Sequence, residues 1–324
     1  MFKKILAILP ESIGGRLTMT SLFKGFEQCG YELTILDKLK DAKEKIQSLN
    51  IDDYEFLTSY DFVAIEFKTD CNLKIKTVNY FSDVIESDCS GKYWNKYYTQ
   101  LQDPSNYVFY WDKKLTEESK NIANIHYLPH AVDTKTYRNL NLNQEYDVMF
   151  AGRLTYGTRV NRFLDIAKSL PKVKFALYCF KKHLDTVCQS LPKEDAELLN
   201  SMYKGFIDTE EKMSEAINKS QIVINFTSQG KSSLNYRLFQ VLACEKFLLT
   251  DYREELNDLF TIGESITFYK NDADLIEKIK DYLSSPEKYK ELVKSGRKAI
   301  EDKYSSTIAA KKILGILNVT NSDT

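Results

Sequence analysis

The sequence is poor in the residues that hold metals and disulfides. Its 324 residues include three histidines with no clustered spacing and six cysteines with no C-x-x-C pair. A structural zinc site needs such ligands at short spacings, so we expect none here. Cysteines far apart in the chain are typical of free thiols in a reducing compartment. They are Cys29, Cys71, Cys89, Cys179, Cys188 and Cys244.

A strong net charge and long apolar runs are also absent. The formal net charge is −1, so no overall field draws the chain to nucleic acid or to an anionic membrane. No apolar run approaches the ~20 residues that a membrane-spanning helix needs. The amino terminus, MFKKILAILPE, resembles a signal peptide, but its apolar part, Ile5 to Leu9, is too short and ends at Pro10. We therefore expect a buried first strand and a cytoplasmic protein.

One short motif suggests a nucleoside triphosphate site. Gly230-Lys231-Ser232 matches the end of a P-loop, but the glycine required five positions before the Gly-Lys pair is replaced by Asn225. A strand that runs into a loop with one glycine does not provide the backbone cradle of that motif. The stretch instead predicts a strand, a polar loop and a helix start. That is the layout of a ligand loop at the carboxyl end of a parallel sheet.

Short apolar runs alternate with helical patterns along both halves of the chain. This alternation predicts an α/β protein with parallel sheets covered on both faces. Strands are expected at 4–9, 32–36, 62–67, 76–81, 107–111, 125–128, 147–151, 173–179, 221–226, 246–250 and 266–269. Helices are expected at 18–28, 38–48, 116–122, 159–169, 184–190, 210–218, 235–244, 273–283, 286–304 and 307–317.

A polar stretch without apolar periodicity, 129–143, separates the two series. A chain of this length favours two domains. We expect an amino-terminal domain over 1–135, a second domain over 136–306, and a final segment over 307–324. Two such sheets would enclose a cleft at their carboxyl edges, where open α/β sheets bind ligands.

The second domain opens with a loop suited to an anion. A strand ends in Ala151-Gly152-Arg153, and a helix begins near Arg159. A helix amino terminus flanked by guanidinium groups suits a diphosphate. The alternative is that both arginines are ordinary surface charges, because most arginines are exposed.

The loop after Asn225 has a similar design. Ser228, Lys231 and Ser233 lie in it, and Asn235 and Arg237 follow in the first helical turn. Asn235 is also a common helix N-cap, which would need no ligand. Arg237 is less expected, because a helix amino terminus favours anions. An anion bound between the arginine and the helix would explain it, which indicates a phosphate.

A family resemblance follows from these motifs. The pattern N-x-R-x-F-x-x-x-A-C-x-x-F-L-L-T-D over 235–251 resembles the carboxyl-terminal domain of CgeB-like glycosyltransferases, relatives of the GT-B group. Leu128-Pro129-His130-Ala131-Val132-Asp133 resembles that group's interdomain segment P-x-G-V-D, and Gly152-Arg153-Leu154 resembles its G-R-L loop. The Gly14-Gly15 turn is similar to its glycine-rich first loop.

The resemblance implies a GT-B fold of two Rossmann-like domains facing across a cleft, with the last helix crossing back onto the first domain. It implies hexose transfer from a nucleotide-diphosphate sugar, most simply a UDP-sugar, bound mainly by the second domain. Arg153, Arg159, Lys231 and Arg237 would then neutralise the diphosphate. No cofactor is expected beyond this donor substrate. The acceptor would be a glycan, a lipid-linked sugar or a protein, and no nucleic acid is expected, given the near-neutral charge.

The sequence departs from the family pattern at three positions. Many relatives hold the ribose hydroxyls with a glutamate where Gln240 stands, and the E-x7-E pair of retaining relatives is replaced by Ser232 and Gln240. Gln240 can still accept a hydrogen bond from a ribose hydroxyl, without charge assistance. The lysine that follows G-R-L in relatives is Thr158 here, with Arg159 one residue later.

The acceptor side offers fewer candidates. An inverting enzyme needs a carboxylate or histidine as general base. Asp83 follows the predicted strand 76–81, and Asp70 lies in the preceding predicted loop. Either could instead be a loop or cap aspartate. His130, at the hinge, is a further catalytic candidate, though a hydrogen-bonding role suits it better.

Aromatic residues follow the same strand and could stack on a sugar acceptor. Packing in a helix or in the core is the alternative. They are Tyr93, Trp94, Tyr97 and Tyr98.

A metal-dependent mechanism is not favoured. Asp272-Ala273-Asp274 has the D-x-D spacing that another glycosyltransferase fold uses for manganese. Here it begins a predicted helix, where acidic residues are favoured by the helix dipole. The sequence therefore predicts a cytoplasmic, metal-independent glycosyltransferase. The alternatives are a non-catalytic protein of the same fold that binds a nucleotide sugar or glycan, and a two-lobed periplasmic binding protein.

Overall fold

The computed structural model describes residues 3–37, 39–81, 99–119, 121–122, 124–154, 159–227 and 232–319. The chain forms two units. The first comprises Met1–Asp133, Gln229–Tyr236 and Lys303–Thr324, and the second comprises Thr134–Ser228 and Arg237–Asp302. In the part of the chain that the structure describes, no helix is both long enough and apolar enough to cross a membrane.

The first unit contains a six-stranded parallel sheet in the order β2-β1-β3-β4-β5-β6. Its strands are β1 Lys4–Leu9, β2 Glu32–Asp37, β3 Tyr54–Tyr60, β4 Lys76–Phe81, β5 Asn106–Tyr110 and β6 Ile125–Tyr127. Its described helices are α1 Ile13–Gln28, α2 Leu39–Lys45, α3 Val63–Asp70, α4 Lys113–Glu118 and α13 Ser306–Val319.

Strand β1 shows why this sheet needs helices on both faces. Side chains alternate along a strand. Ile5 and Ala7 accordingly join the core under α1 and α13, whereas Leu6 and Ile8 join a second core next to α2 and α3. All four side chains are buried, so the strand has no polar face, as expected for a covered parallel sheet.

Helix α1 is set by local signals at both ends. Ser12 caps it and accepts a hydrogen bond from the Gly15 backbone N–H at 3.2 Å. Just after the helix, Gly30 adopts φ +87°, a left-handed conformation that favours glycine and stops the helix. The helix packs against α13, and an added Cβ at Gly25 would overlap the Ser306 backbone. Glycine at residue 25 therefore permits the close approach of the two helices.

The second unit contains another six-stranded parallel sheet, in the order β12-β11-β10-β7-β8-β9. Its strands are β7 Tyr146–Ala151, β8 Phe175–Tyr178, β9 Tyr203–Gly205, β10 Ser220–Asn225, β11 Phe247–Asp251 and β12 Phe268–Tyr269. The described helices that flank it are α5 Arg159–Ser169, α6 Lys181–Cys188, α7 Lys193–Met202, α8 Glu210–Asn218, α9 Tyr236–Ala243, α10 Glu255–Leu259, α11 Asp272–Ser284 and α12 Lys290–Lys303.

One predicted strand is wrong. Residues 62–67 were expected to form a strand, but they belong to the start of helix α3, and the strand lies earlier, at β3. Asp61 adopts φ 51° and turns the chain between the two elements. A short, continuous apolar run fits either a buried strand or a buried helix, so its periodicity did not distinguish them.

The helix that begins at Asp272 confirms the capping interpretation of the D-x-D motif. Asn271 is the N-cap and accepts from the Asp274 N–H at 2.9 Å, and both aspartates lie in the first turn of α11. Arg162 donates to Asp272, and Lys278 donates to Asp274 at 2.6 Å. Both carboxylates are thus engaged by cations of the same unit.

Candidate functional site

The carboxyl edge of the second sheet carries several arginines. Strands β7 and β10 are neighbours in this sheet, although six helices and strands lie between them in the chain. The strand order reverses between them. In open α/β sheets, ligands bind beside such a reversal. Arg153 follows β7 and is exposed, and Arg159 is the first residue of α5. Thr158 and the rest of 155–158 lie outside the described residues.

Arg159 links the ends of these two strands. Its Nη1 donates to the Arg153 carbonyl oxygen at 3.2 Å, and its Nη2 donates to the carbonyl oxygen of Phe226, just after β10. Part of the guanidinium is therefore committed to the backbone, but its charge stays at the reversal point. A cation fixed in this way suits an anion at the helix amino end.

Two further arginines at this edge were not identified by the sequence analysis. Arg162 donates to Asp272 at 2.8 and 2.6 Å, and its guanidinium lies 4.5 Å from the centre of the Phe226 ring. Arg253 donates to the Thr227 carbonyl oxygen at 3.2 Å. Two features of the sequence could have identified them. Arg162 lies one helical turn after Arg159, and Arg253 lies just after strand β11.

Asp251, the last residue of β11, holds the start of the predicted ligand loop. Its carboxylate accepts from the Thr227 N–H at 3.0 and 3.2 Å. The neighbouring strand ends are joined as well, because the Tyr269 hydroxyl donates to the Asn225 carbonyl oxygen at 2.9 Å. Hydrogen bonds thus link the strand ends at this edge. Ser228 and Lys231 of this loop lie outside the described residues.

The later part of the loop belongs to the first unit and is bound by a residue that the sequence did not indicate. Asp112, at the amino end of α4, is fully buried. Its carboxylate accepts from the Ser232 N–H at 3.1 Å, the Ser232 hydroxyl at 3.2 Å and the Ser233 N–H at 3.3 Å. It also caps α4 by accepting from the Leu115 N–H at 2.9 Å. The backbone amide of Ser233 therefore binds an internal carboxylate.

Asn235 and Arg237 stand at the start of α9 and are both half-buried. Arg237 donates from Nη1 to the Gln240 side-chain oxygen, one turn later. Gln240 is only 1% exposed, and its Nε2 donates to the Tyr137 hydroxyl oxygen at 2.5 Å. The amide proposed for the ribose is thus bonded within the second unit.

In the first unit, Gly14 and Gly15 lie in the first turn of α1, after β1. A Cβ added to Gly15 would lie 2.8 Å from Tyr60 Cδ1 and 2.9 Å from Pro10 Cγ, whereas one added to Gly14 would meet nothing within 4 Å. Gly15 therefore serves close packing, and the Gly14 position is open.

His130 is 4% exposed in the first unit. Its Nδ1 lies 3.0 Å from the Tyr80 hydroxyl, and its ring centre lies 5.0 Å from that of Trp111 and 5.4 Å from that of Tyr236. Burial lowers the pKa of His130 to about 3, so the imidazole is neutral near pH 7. This environment suits a hydrogen-bonding role better than proton exchange with solvent.

Of the other acceptor-side candidates, the structure describes Asp70. Asp70 is the last residue of α3 and bonds Lys43 at 2.7 Å. A helix that connects parallel strands runs back along the sheet, so its carboxyl end lies away from the ligand edge. Asp83, Tyr93, Trp94, Tyr97 and Tyr98 lie outside the described residues. Within the described ranges, no group of three or more His, Cys, Asp or Glu side chains is placed to hold a metal ion.

Two parallel six-stranded sheets with flanking helices define a GT-B fold, as predicted. Residues 158–315 match the family described as glycosyl transferase-like. The matched segment contains Arg159, Arg162, Arg237 and Arg253. No curated protein matches the sequence significantly.

Solved glycosyltransferase structures share the fold over nearly the whole chain. Sucrose-phosphate synthase from Thermosynechococcus elongatus is 10% identical, with a TM-score of 0.72, and the match covers 99% of this chain and 100% of that one. HepE of Anabaena, in complex with UDP and glucose, is 12% identical, with a TM-score of 0.73 and coverage of 98% and 100%. An alpha-glucosyltransferase in complex with UDP-glucose and DNA is 14% identical, with a TM-score of 0.70 and coverage of 97% and 99%.

Proposed function

We propose that the protein transfers a hexose from a nucleotide-diphosphate sugar, a UDP-sugar, to a glycan, lipid-linked or protein acceptor. The observation that carries this proposal is the set of arginines at the carboxyl edge of the second sheet, inside the glycosyl transferase-like match. Fixed cations and helix amino ends stabilise the charge that develops on a leaving diphosphate. For this reason, the proposed reaction includes no metal ion.

The choice of uridine is supported by the structures of HepE and of the alpha-glucosyltransferase, which contain UDP or UDP-glucose. The CgeB-like subfamily, proposed from the motif over 235–251, and the cytoplasmic location belong to the same proposal. The near-neutral net charge is the reason that nucleic acid is left out of the acceptors. For the acceptor's proton, Asp83 of the first unit is the proposed base in an inverting reaction.

The first experiment is a thermal-shift screen with UDP, GDP, CMP and ADP, each with and without EDTA. We expect UDP alone to raise the melting temperature, equally in both buffers, because a ligand that binds the folded state stabilises it. The second is release of UDP from a panel of UDP-sugars with glycan acceptors. No shift with any nucleotide and no nucleotide release would refute the proposal.

A second candidate is a non-catalytic protein of the same fold that binds a nucleotide sugar or a glycan. The replacement of the family's glutamate by Gln240, whose amide is bonded internally, favours this candidate. It predicts a UDP-dependent thermal shift without release of UDP from any donor. The proposed transferase predicts both results.

A further inference from the structure

The side chain of Gln240 is bonded at both ends of its amide. Its Oε1 accepts from Arg237 Nη1, and its Nε2 donates to the Tyr137 hydroxyl oxygen at 2.5 Å. At 1% exposure, it has no surface from which to reach a bound ribose. The amide oxygen has a second lone pair, but a ribose hydroxyl would reach it only if the side chains that bury Gln240 moved away.

The chemistry of the partners fixes the orientation of this amide. An arginine can only donate hydrogen bonds, so the oxygen of Gln240 must face Arg237 and the nitrogen must face Tyr137. A glutamate at residue 240 could accept from both the arginine and the Tyr137 hydroxyl, but its negative charge would offset the positive charge of Arg237. Glutamine therefore holds the guanidinium while leaving its full charge for an anion.

Tyr137 is itself held firmly. Its ring is fully buried, and its carbonyl oxygen accepts from Arg297 Nη1 of helix α12 at 2.6 Å. Arg297 Nη2 also donates to the Thr134 carbonyl oxygen at 3.2 Å. Burial raises the pKa of the Tyr137 phenol well above its ordinary value. The phenol stays neutral, and a fixed chain of contacts leads from α12 through Tyr137 and Gln240 to Arg237.

We infer that Gln240 is a positioning residue that holds the Arg237 guanidinium in one orientation toward the diphosphate of the donor, and that it is not a ribose ligand. The two residues lie three apart on α9, where side chains share a helix face. The inference rests on the proposed function, because the diphosphate gives Arg237 its role.

Gln240→Glu gives opposite results for the two roles. As a ribose ligand, a glutamate would bind the hydroxyls with charge assistance and strengthen UDP binding. As a positioning residue, it would place a negative charge against Arg237, offset the attraction of the guanidinium for the diphosphate and weaken UDP binding. We expect the dissociation constant for UDP, measured by titration calorimetry, to rise about tenfold. Tighter binding than wild type would overturn the inference.

A double-mutant cycle keeps the inference testable if that variant does not fold. Gln240→Met and Arg237→Met should each weaken UDP binding, and the double variant should bind UDP no more weakly than Arg237→Met, because Gln240 acts through Arg237. Both single variants should weaken the binding of UDP more than the binding of UMP, which has one phosphate fewer. Additive losses, or equal losses for UMP and UDP from Gln240→Met, would point to a ribose contact and refute the inference.

The matched control is Gln221→Met. Gln221 lies near the amino end of β10, at the edge of the second sheet opposite to the candidate site. Its Nε2 donates to Asp147 at 2.8 Å. Its loss should leave UDP affinity within about twofold of wild type, since no proposed ligand lies there. Failure of the wild type to bind UDP would refute the proposed function. If the wild type binds UDP and the Gln240→Glu variant binds it more tightly, the positioning role alone is refuted.

Discussion

The two sheets have the same number of strands but different strand orders, and their reversal points are filled differently. In the first sheet the order reverses between β1 and β3, and in the second it reverses between β7 and β10. At the first, Tyr60 and Pro10 pack against Gly15. At the second, Arg159 connects the strand ends. A reversal point is therefore a place where a ligand site can form, and its side chains decide whether an anion would be held there.

The largest expected effect is at the second reversal point. Arg159→Met should weaken UDP binding about 100-fold, because it removes both a cation and the contact between two strand ends. Titration calorimetry measures this loss. Lys174→Met, at the opposite edge of the same sheet, serves as a control that removes one positive charge. UDP affinity that is equal in the two variants would contradict an arginine-built donor site.

Asp112→Asn tests the anchoring of the loop in the first unit. One carboxylate oxygen becomes an NH2 group that faces N–H donors, so we expect a loss of about 2 kcal/mol in the free energy of unfolding. Chemical denaturation measures it. Thr209→Ala removes an ordinary N-cap, whose hydroxyl accepts from the Lys212 N–H at 3.2 Å, and should cost about 1 kcal/mol. If the aspartate variant is no less stable than this control, the loop bonds contribute little.

Gly15→Ala and Gly14→Ala test the packing at the first reversal point. The Gly15 variant should lose about 1–2 kcal/mol of unfolding free energy through overpacking. The Gly14 variant, whose new Cβ meets nothing within 4 Å, should be unchanged or slightly more stable, because alanine favours helix. Neither should alter UDP affinity. Equal stability of the two variants would show that the packing around Gly15 adjusts freely.

The smallest expected effect is the pH dependence of the first unit. The pKa of His130 is lowered to about 3 in the folded protein, against about 6.5 when unfolded. Between these values the unfolded chain binds one more proton, so stability falls as pH decreases below 6.5 and the loss stops near 3. At pH 5.5 the loss should be about 1 kcal/mol relative to pH 7.5.

His130→Gln should lack this loss, whereas His183→Gln, which changes a more exposed ring of the second unit, should retain it. Denaturation of the three proteins at both pH values makes the comparison. If the free energy of unfolding falls by the same amount between pH 7.5 and pH 5.5 in the wild type and in His130→Gln, His130 can take up its proton in the folded state.

The sequence analysis located the structural elements well where neighbouring residues determine them. Alternating apolar runs located most strands, and the turn at Gly152-Arg153 and the helix start at Arg159 were found because strand, loop and helix are contiguous. The helix α7 and the short strand β9 were missed, since β9 has only three residues and none is fully buried.

Long-range partners could not be predicted. Asp112 and Ser232 are 120 residues apart in the chain, and nothing in the local sequence around either residue indicates the other. The bond of Gln240 to Tyr137 spans 103 residues, so comparison with family motifs suggested a ribose contact, while the structure supplies an internal partner. The acceptor-side prediction for Asp83 lies outside the described residues and stays a prediction.

The packing of α13 against α1 also has a consequence for biosynthesis. A ribosome makes the strands of the first sheet before any part of the second, yet the helix that covers α1 begins only at Ser306. Until that helix emerges, apolar core positions such as Phe26 stay without their final cover. The unit that is begun first is thus completed last, and during synthesis its exposed core is the natural target for chaperones.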